Sequence, residues 1–520
     1  MSSKIATLSD ICAACGSITQ GTFSGDAPSP RISELLRSND VPSDSELSNF
    51  RDIIKQGPRR IANLDQKIAR TKAFLDTLCN DRDLVEANIA DAKVLSSPVR
   101  RLPSDILRSI ALETIPSPSE IMSIFPAHDS LNTRISPWTL SQVCRTWRLT
   151  IVGSPELWSS ILLEIRSGFD DPVSSIGRPI FLLGLHLERS RNAPLTLLIG
   201  SVLSDMDHPF LSLISSRASS IENLYFSSSS LSEIRGLTRS RGSWNMLYHL
   251  RIATFGIRHV QEIYDMFEYA PNLRVVDMSV SEREELPLIP WVQLIRLTLQ
   301  VHNMQDLELL RQAKNITSLE IYGPPTWSMM PEGYEAVSLP LLTFLTLRDQ
   351  SAIISSLFIP NLTSLSLSWN GQPVFPQLKI PNVITTLKIT RSVWVVFSSG
   401  DEDICAFPGL PSLLKSVPYL RRLVIESCKA LSLTDITALM TLPSCTPLSR
   451  LQILDLRDCT LEFDHSKFVE MVTTRRLGNK PGIDRLETVH LNGPLSLNGV
   501  CKHTWQSLCD EGLKVTYGKS

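Results

Sequence analysis

Apolar positions follow two different periods along this chain, and the change from one to the other divides it. From Arg59 to Ser97 there is neither Gly nor Pro. Within that stretch Ile61, Ile68, Leu75 and Ile89 form one row broken by Arg82, and Leu64, Leu78, Val85 and Ala92 form a second broken by Thr71. Two rows at heptad spacing predict a long helix with a narrow apolar seam, with room for ~55 to 60 Å at 1.5 Å per residue. Such a seam needs a cover, either the protein's own next domain or a second copy paired through residues 61–92. Pro98 ends the pattern, because the residue before a proline is pushed out of the helical region.

Further along, L-x-x-L-x-L recurs. It runs through Ile221/Leu224/Phe226, Leu247/Leu250/Ile252, Leu273/Val276/Met278, Leu294/Leu297/Leu299, Ile316/Leu319/Ile321 and Leu342/Leu345/Leu347. It continues through Leu362/Leu365/Leu367, Ile384/Leu387/Ile389, Leu420/Leu423/Ile425, Leu451/Leu454/Leu456 and Leu486/Val489/Leu491. Successive first anchors lie 26, 26, 21, 22, 26, 20, 22, 36, 31 and 35 residues apart, mostly the interval of a leucine-rich repeat. In such a repeat the second and third anchors share one face of a short strand and point into a core that neighbouring coils complete. Asn370, Cys428 and Cys459 stand three places after the last anchor, where a side chain can cap the turn.

Between these regions the pattern is helical. In RRLPSDILRSIALETIP, Pro103 suits a first turn, and Ile106, Leu107 and Ile110 share a face. In LSQVCRTWRLTIVGSPELW (140–158), Leu140, Val143, Cys144, Trp147 and Ile151 fall on one helical stripe, Gly153 offers a left-handed stop, and Ser154-Pro155 opens a turn carrying Leu157 and Trp158. The resulting division is a loosely ordered leader (1–50), a heptad helix (51–97), a small all-α unit (98–165) and a leucine-rich-repeat solenoid (175–520). The fold class is α/β, with short parallel strands alternating with helices.

Composition narrows the function. With 520 residues, 51 basic and 53 acidic side chains and a net charge of -2, no global field draws in nucleic acid or an anionic membrane. Apolar runs fall short of the ~18 to 20 residues that span a bilayer, and the N-terminus lacks the plan of a secretory signal, so the chain reads as intracellular, cytoplasmic or nuclear. Its 10 cysteines show no disulfide framework and read as thiols. Cys12-Ala-Ala-Cys15 lacks a second ligand pair for zinc. The 9 histidines are scattered, with no H-E-x-x-H, and the terminal Gly518-Lys519-Ser520 has Leu513 where a phosphate loop needs glycine. No catalytic residue, metal or cofactor is expected.

LPSDILRSI at 102–110, joined to LSQVCRTWR and SPELW, resembles the F-box motif, in the form with a long insertion between its helices found in the expanded F-box-like proteins of mushroom-forming fungi. The resemblance implies a substrate-recognition subunit of a ubiquitin ligase, docking a Skp-type adaptor and through it a cullin. Carried over position by position, the docking set is Leu102, Pro103, Ile106, Leu107, Ile110, Leu140, Val143, Cys144, Trp147, Leu157 and Trp158. A protein target would then lie on the strand positions between second and third anchors: Tyr225, Arg251, Asp277, Thr298, Glu320, Thr346, Ser366, Lys388, Val424, Asp455 and His490. From the residues alone, a ligase-independent protein-interaction scaffold, dimeric through the heptad helix, remains the alternative.

Overall fold

In a computed structural model, the residues described are 30–117, 120, 129–166, 177–202, 209–255, 264–280, 286–323, 334–369, 383–391, 410–426, 428–431, 448–457, 459–461, 465–477 and 484–518. The chain forms two compact units, Met1–Leu102 and Pro103–Ser520.

In the first unit, α1 (Pro30–Ser38) precedes α2 (Asp44–Ser96), a helix of 53 residues. At 1.5 Å per residue α2 is ~80 Å long, and it starts well before Arg59. Two features account for the difference. Ser43 and Glu46 form a reciprocal capping box that satisfies the first orphan amides, and Pro58 is tolerated inside the helix although it forfeits one backbone bond. Arg31 joins α1 to this start through Glu46 at 3.1 Å. The segment expected to be loose is therefore helical over 30–38 and from Asp44 onward, and Cys12 and Cys15 lie outside the described residues. No residue of α2 is buried.

The second unit is mixed α/β. Its strands are β1 (Ser160–Arg166), β2 (Leu195–Val202), β3 (Ile221–Ser228), β4 (His249–Thr254), β5 (Val275–Ser279), β6 (Arg296–Gln300) and β7 (Ser318–Tyr322). Then come β8 (Val337–Ser338), β9 (Phe344–Arg348), β10 (Leu357–Phe358), β11 (Ser364–Trp369), β12 (Thr386–Arg391) and β13 (Arg422–Glu426). The last are β14 (Cys428–Leu431), β15 (Ile453–Leu456), β16 (Cys459–Leu461), β17 (Thr488–Leu491) and β18 (Lys514–Tyr517). Fourteen of them form one parallel sheet in chain order, with β8 beside β10 and β14 beside β16 in two small pairs. Helices such as 177–189, 209–216, 465–477 and 499–510 make the returns. A long N-terminal helix followed by a large parallel sheet alternating with helices is compatible with a repeat solenoid.

The repeat pattern and the sheet register coincide. Leu224, Leu250, Val276, Leu297 and Leu319 are successive Cα partners, and so are Phe226, Ile252, Met278, Leu299 and Ile321. All three anchors in each of the eleven copies are no more than 2% exposed, which chance leucine patterning would not produce. Truncating one of these leucines to alanine is expected to cost ~2–5 kcal/mol.

Three strands of the large sheet escaped the pattern. β1 keeps the spacing but has Trp158 as its first anchor before Ile161 and Leu163, whereas Pro194 and Gly512 occupy that place before β2 and β18. The sheet thus begins at Ser160, not near residue 175. Asn370 is outside the described residues; Cys428 and Cys459 are Cα partners in the β14–β16 pair.

Side-chain rungs tie consecutive coils together. Just before the first anchors, Asn272, Asn315 and Asn361 donate from Nδ2 to the carbonyls of Asn245, Val292 and Pro340, at 2.6, 2.8 and 2.8 Å. Just after them, Thr317, Thr343, Thr363 and Thr385 donate from Oγ1 to the carbonyls of Ile295, Thr317, Thr343 and Thr363, at 3.0 to 3.2 Å. The Asn rungs supply a donor to carbonyls at the bend between helix and strand, and the Thr rungs add a side-chain donor to carbonyls that already accept backbone amides of the next coil.

Candidate functional site

The small helical segment preceding the sheet is the first candidate. α3 (Ser104–Leu112) buries Leu107 and Ala111 and leaves Ile106 43% and Ile110 40% exposed, so of two apolar rows ~100° apart one turns inward and the other to solvent. The stripe expected over 140–151 is broken. A single 3-10 turn covers Leu140–Gln142, Cys144 is extended and caps the helix Arg145–Val152, and Val143 and Cys144 are exposed outside it. Gly153 is right-handed, not left-handed. It is needed because a Cβ there would stand 2.7 Å from the Leu149 carbonyl oxygen.

Of the docking set, Pro103, Ile106, Ile110, Val143 and Cys144 are exposed, and Leu102 and Leu140 are half-buried. Leu107, Trp147, Leu157 and Trp158 are buried in the chain itself and leave no surface for a partner. The reason is local. Trp158, 0% exposed, donates from Nε1 to the Ile151 carbonyl at 2.9 Å and meets Trp138 edge-on, ring centroids 4.9 Å apart. Arg189 caps both rings, its guanidinium carbon 4.9 and 4.4 Å from their centroids. His186 lies edge-on to both tryptophans and is 1% exposed. The Ser130 carbonyl accepts from Trp138 Nε1 at 2.9 Å and His186 Nε2 at 3.0 Å. Ser130 also exchanges hydrogen bonds with the Leu162 backbone at 2.9 and 3.0 Å. This cluster occupies the open edge of β1 at Leu162, whose backbone groups would otherwise be unpaired there. Burial pushes the His186 pKa down to about 4, Arg189 adding to the effect while the Ser130 and Trp158 backbones pull the other way.

The second candidate is the sheet face opposite the core. All eleven positions expected to meet a target lie on it in one unbroken register. Tyr225, Arg251, Asp277, Thr298, Glu320 and Thr346 are consecutive Cα partners. Ser366, Lys388, Val424, Asp455 and His490 continue the row. Not all are open: Tyr225, Val424 and Asp455 are buried, and Leu162, Leu198 and Tyr225 make a small apolar cluster at the β1 end. Flanking rows two residues away share the face because strand side chains alternate, a signal a single-row reading misses.

Between β4 and β9 these rows enclose a polar hollow of ≈ 460 Å³, lined by His249, Arg251, Asp277, Arg296, Thr298, Glu320, Tyr322 and Arg348 among others. Tyr225 Oη lies 3.1 Å from His249 Nδ1, and His249 Nε2 2.9 Å from Asp277 Oδ2. With the tyrosine protonated the chain runs from Tyr225 through His249 to the carboxylate, fixing the imidazole tautomer. Burial pushes the Asp277 pKa up, but hydrogen bonds from His249 and Thr298 outweigh it and hold the carboxyl below its usual value. Burial, then the Asp277 charge, raises the Tyr225 pKa. Arg348 pairs with Glu320 at 2.6 Å. Further along the face, Lys388 pairs with Glu426 at 2.6 Å and Arg457 with Asp455 at 2.8 Å. The hollow offers guanidinium donors beside carboxylate acceptors, an arrangement for orienting a polar ligand. Tyr225 is buried with its hydroxyl against His249.

No protein-family model matches the chain, and comparison with curated proteins gives no match. Among the described residues no group of His, Cys, Asp and Glu could hold a metal ion, and no helix is long and apolar enough to cross a membrane.

Proposed function

We propose that the chain is a non-enzymatic substrate-recognition subunit of a Skp-cullin-F-box type ubiquitin ligase, a leucine-rich-repeat solenoid preceded by an F-box-like helical segment. The observation that carries the reading is the unbroken register from Tyr225 to His490 along the sheet face opposite the main core, with ion pairs at Glu320, Lys388 and Asp455. A surface built in register by eleven repeats suits an extended protein target. The F-box resemblance of LPSDIL, VCRTW and SPELW supports the adaptor role. The exposed pair Ile106 and Ile110 lies on this segment and is open to a partner. The mechanism is proximity: the adaptor and cullin hold the charged ubiquitin carrier near a target on the repeats, raising the effective concentration of its lysines.

Ile106→Asp with Ile110→Asp, or Leu102→Ala with Pro103→Ala, is expected to abolish recovery of adaptor and cullin from cells while unfolding curves remain unchanged. Hot-spot anchors of this type each contribute ~2 kcal/mol or more, so a pair lowers affinity by more than a hundredfold. Undiminished adaptor recovery by both variants, or no adaptor with the parent chain, would overturn the ligase assignment. The wild-type complex should at the same time retain its target, and Arg251→Glu with Arg348→Glu should release it without affecting the adaptor.

A further inference from the structure

α2 is the largest element that this function leaves unused. Ile61, Leu64, Ile68, Leu75, Leu78, Val85 and Ile89 all sit 45 to 61% exposed along two heptad rows of one continuous helix. We propose that α2 pairs with α2 of a second copy of this chain as an antiparallel coiled coil over residues 61–92, the dyad passing between Asp76 and Thr77.

The sequence of the seam selects this register. With that dyad, Ile61 faces Ala92 of the second copy, Ile68 faces Val85, Leu75 faces Leu78, and Ile89 faces Leu64. The two breaks in the rows, Arg82 and Thr71, then fall opposite one another. Thr71 Oγ1 donates to the Lys67 carbonyl at 2.9 Å, so its lone pairs can accept from the guanidinium of Arg82. A shift of one heptad in either direction sets Arg82 against Leu64 or Leu78 and leaves a charge among leucines. A parallel pair in register sets Arg82 against its own copy in a core layer, Lys67 beside Lys72 and Asp81 beside Glu86. The antiparallel arrangement retains one kind of like-charge contact, Asp65 beside Glu86 on each side of the dyad, at the solvent rim, where such pairs weigh little. By the dyad the polar layer of Arg82 and Thr71 occurs twice, once on each side, and a polar layer is the device that fixes orientation and register in coiled coils.

The area suffices. Seven half-exposed apolar side chains offer on the order of 600 Å² per helix, so a pair buries ~1,200 Å², within the range of specific interfaces. The seam holds for about four and a half heptads, beyond the three to four that a coiled coil needs.

Light scattering of the full chain at micromolar concentration is expected to give twice the mass of one chain. Leu75→Asp with Leu78→Asp is expected to raise the dissociation constant at least a hundredfold and return the single-chain mass, with an unchanged unfolding curve for the repeat unit. Orientation is read by oxidative cross-linking in a Cys79→Ser background. Ile68→Cys chains mixed with Val85→Cys chains are expected to join to each other, and neither is expected to join to itself through the new thiol. A single-chain mass for the parent protein, an undissociated Asp variant, or self-joining of either cysteine variant alone would overturn the proposal.

Discussion

Acidification should loosen the start of the sheet through one imidazole. His186 is held neutral beneath Trp138 and Trp158, with a pKa of about 4 against an unfolded value near 6.5. Because the folded value is the lower, the stabilisation is complete above pH ~6.5 and is lost as pH falls toward 4, the unfolded chain taking up the proton first. The gap corresponds to ~2 kcal/mol lost by pH 5 and ~3 kcal/mol by pH 4. The variant for comparison is His186→Gln, which can still donate to the Ser130 carbonyl but does not titrate. Denaturant unfolding followed by tryptophan fluorescence at pH 7.5 and pH 5 should show the parent losing ~2 kcal/mol more than the variant, with carboxylate contributions cancelling in the difference. Equal losses in the two proteins, or an imidazole resonance for His186 titrating near 6.5, would refute the reasoning.

Other consequences are smaller. Asn361→Ala removes the rung to the Pro340 carbonyl and should lower the unfolding free energy by ~1 kcal/mol, measured by urea titration; Asn361→Gln should recover little, because the longer side chain overshoots. Gly153→Ala forces a Cβ against the Leu149 oxygen and should lower the thermal midpoint, and no loss would show that the helix end relaxes freely. Asp455 is buried and held below its usual pKa, burial pushing it up but Arg457 outweighing it. Asp455→Asn should therefore cost ~2 kcal/mol near neutrality. That difference should vanish in acid, since a depressed carboxylate loses its contribution as pH falls through its folded value.

The legible part of the fold was the part governed by period. Leu-x-x-Leu-x-Leu located eleven strands, and because one strand register links them, it also aligned the row from Tyr225 to His490. Where a residue other than an aliphatic took the first anchor place, as Trp158, Pro194 and Gly512 do, the pattern does not reveal the strand. Sequence period also could not say which of two apolar faces on α3 turns inward. Leu107 and Ile106 read alike, and only packing separated them. The polar hollow was beyond reach for a different reason: His249, Asp277 and Tyr225 come from three coils, and nothing in their separations of 24 and 28 residues announces that they touch.

The rungs between coils bear on a question other than stability. Asn315-Ile316-Thr317 and Asn361-Leu362-Thr363 both spell the acceptor tripeptide for N-linked glycans. In each, the amide nitrogen that would carry the sugar and the hydroxyl that helps the transferase read it are engaged with the preceding coil. What reads as a glycosylation signal is here the spelling of a ladder position, produced wherever Asn precedes and Thr follows the first anchor. A chain forced through a secretory route could be modified there only before its coils stack, and a glycan so placed would take a donor from the ladder.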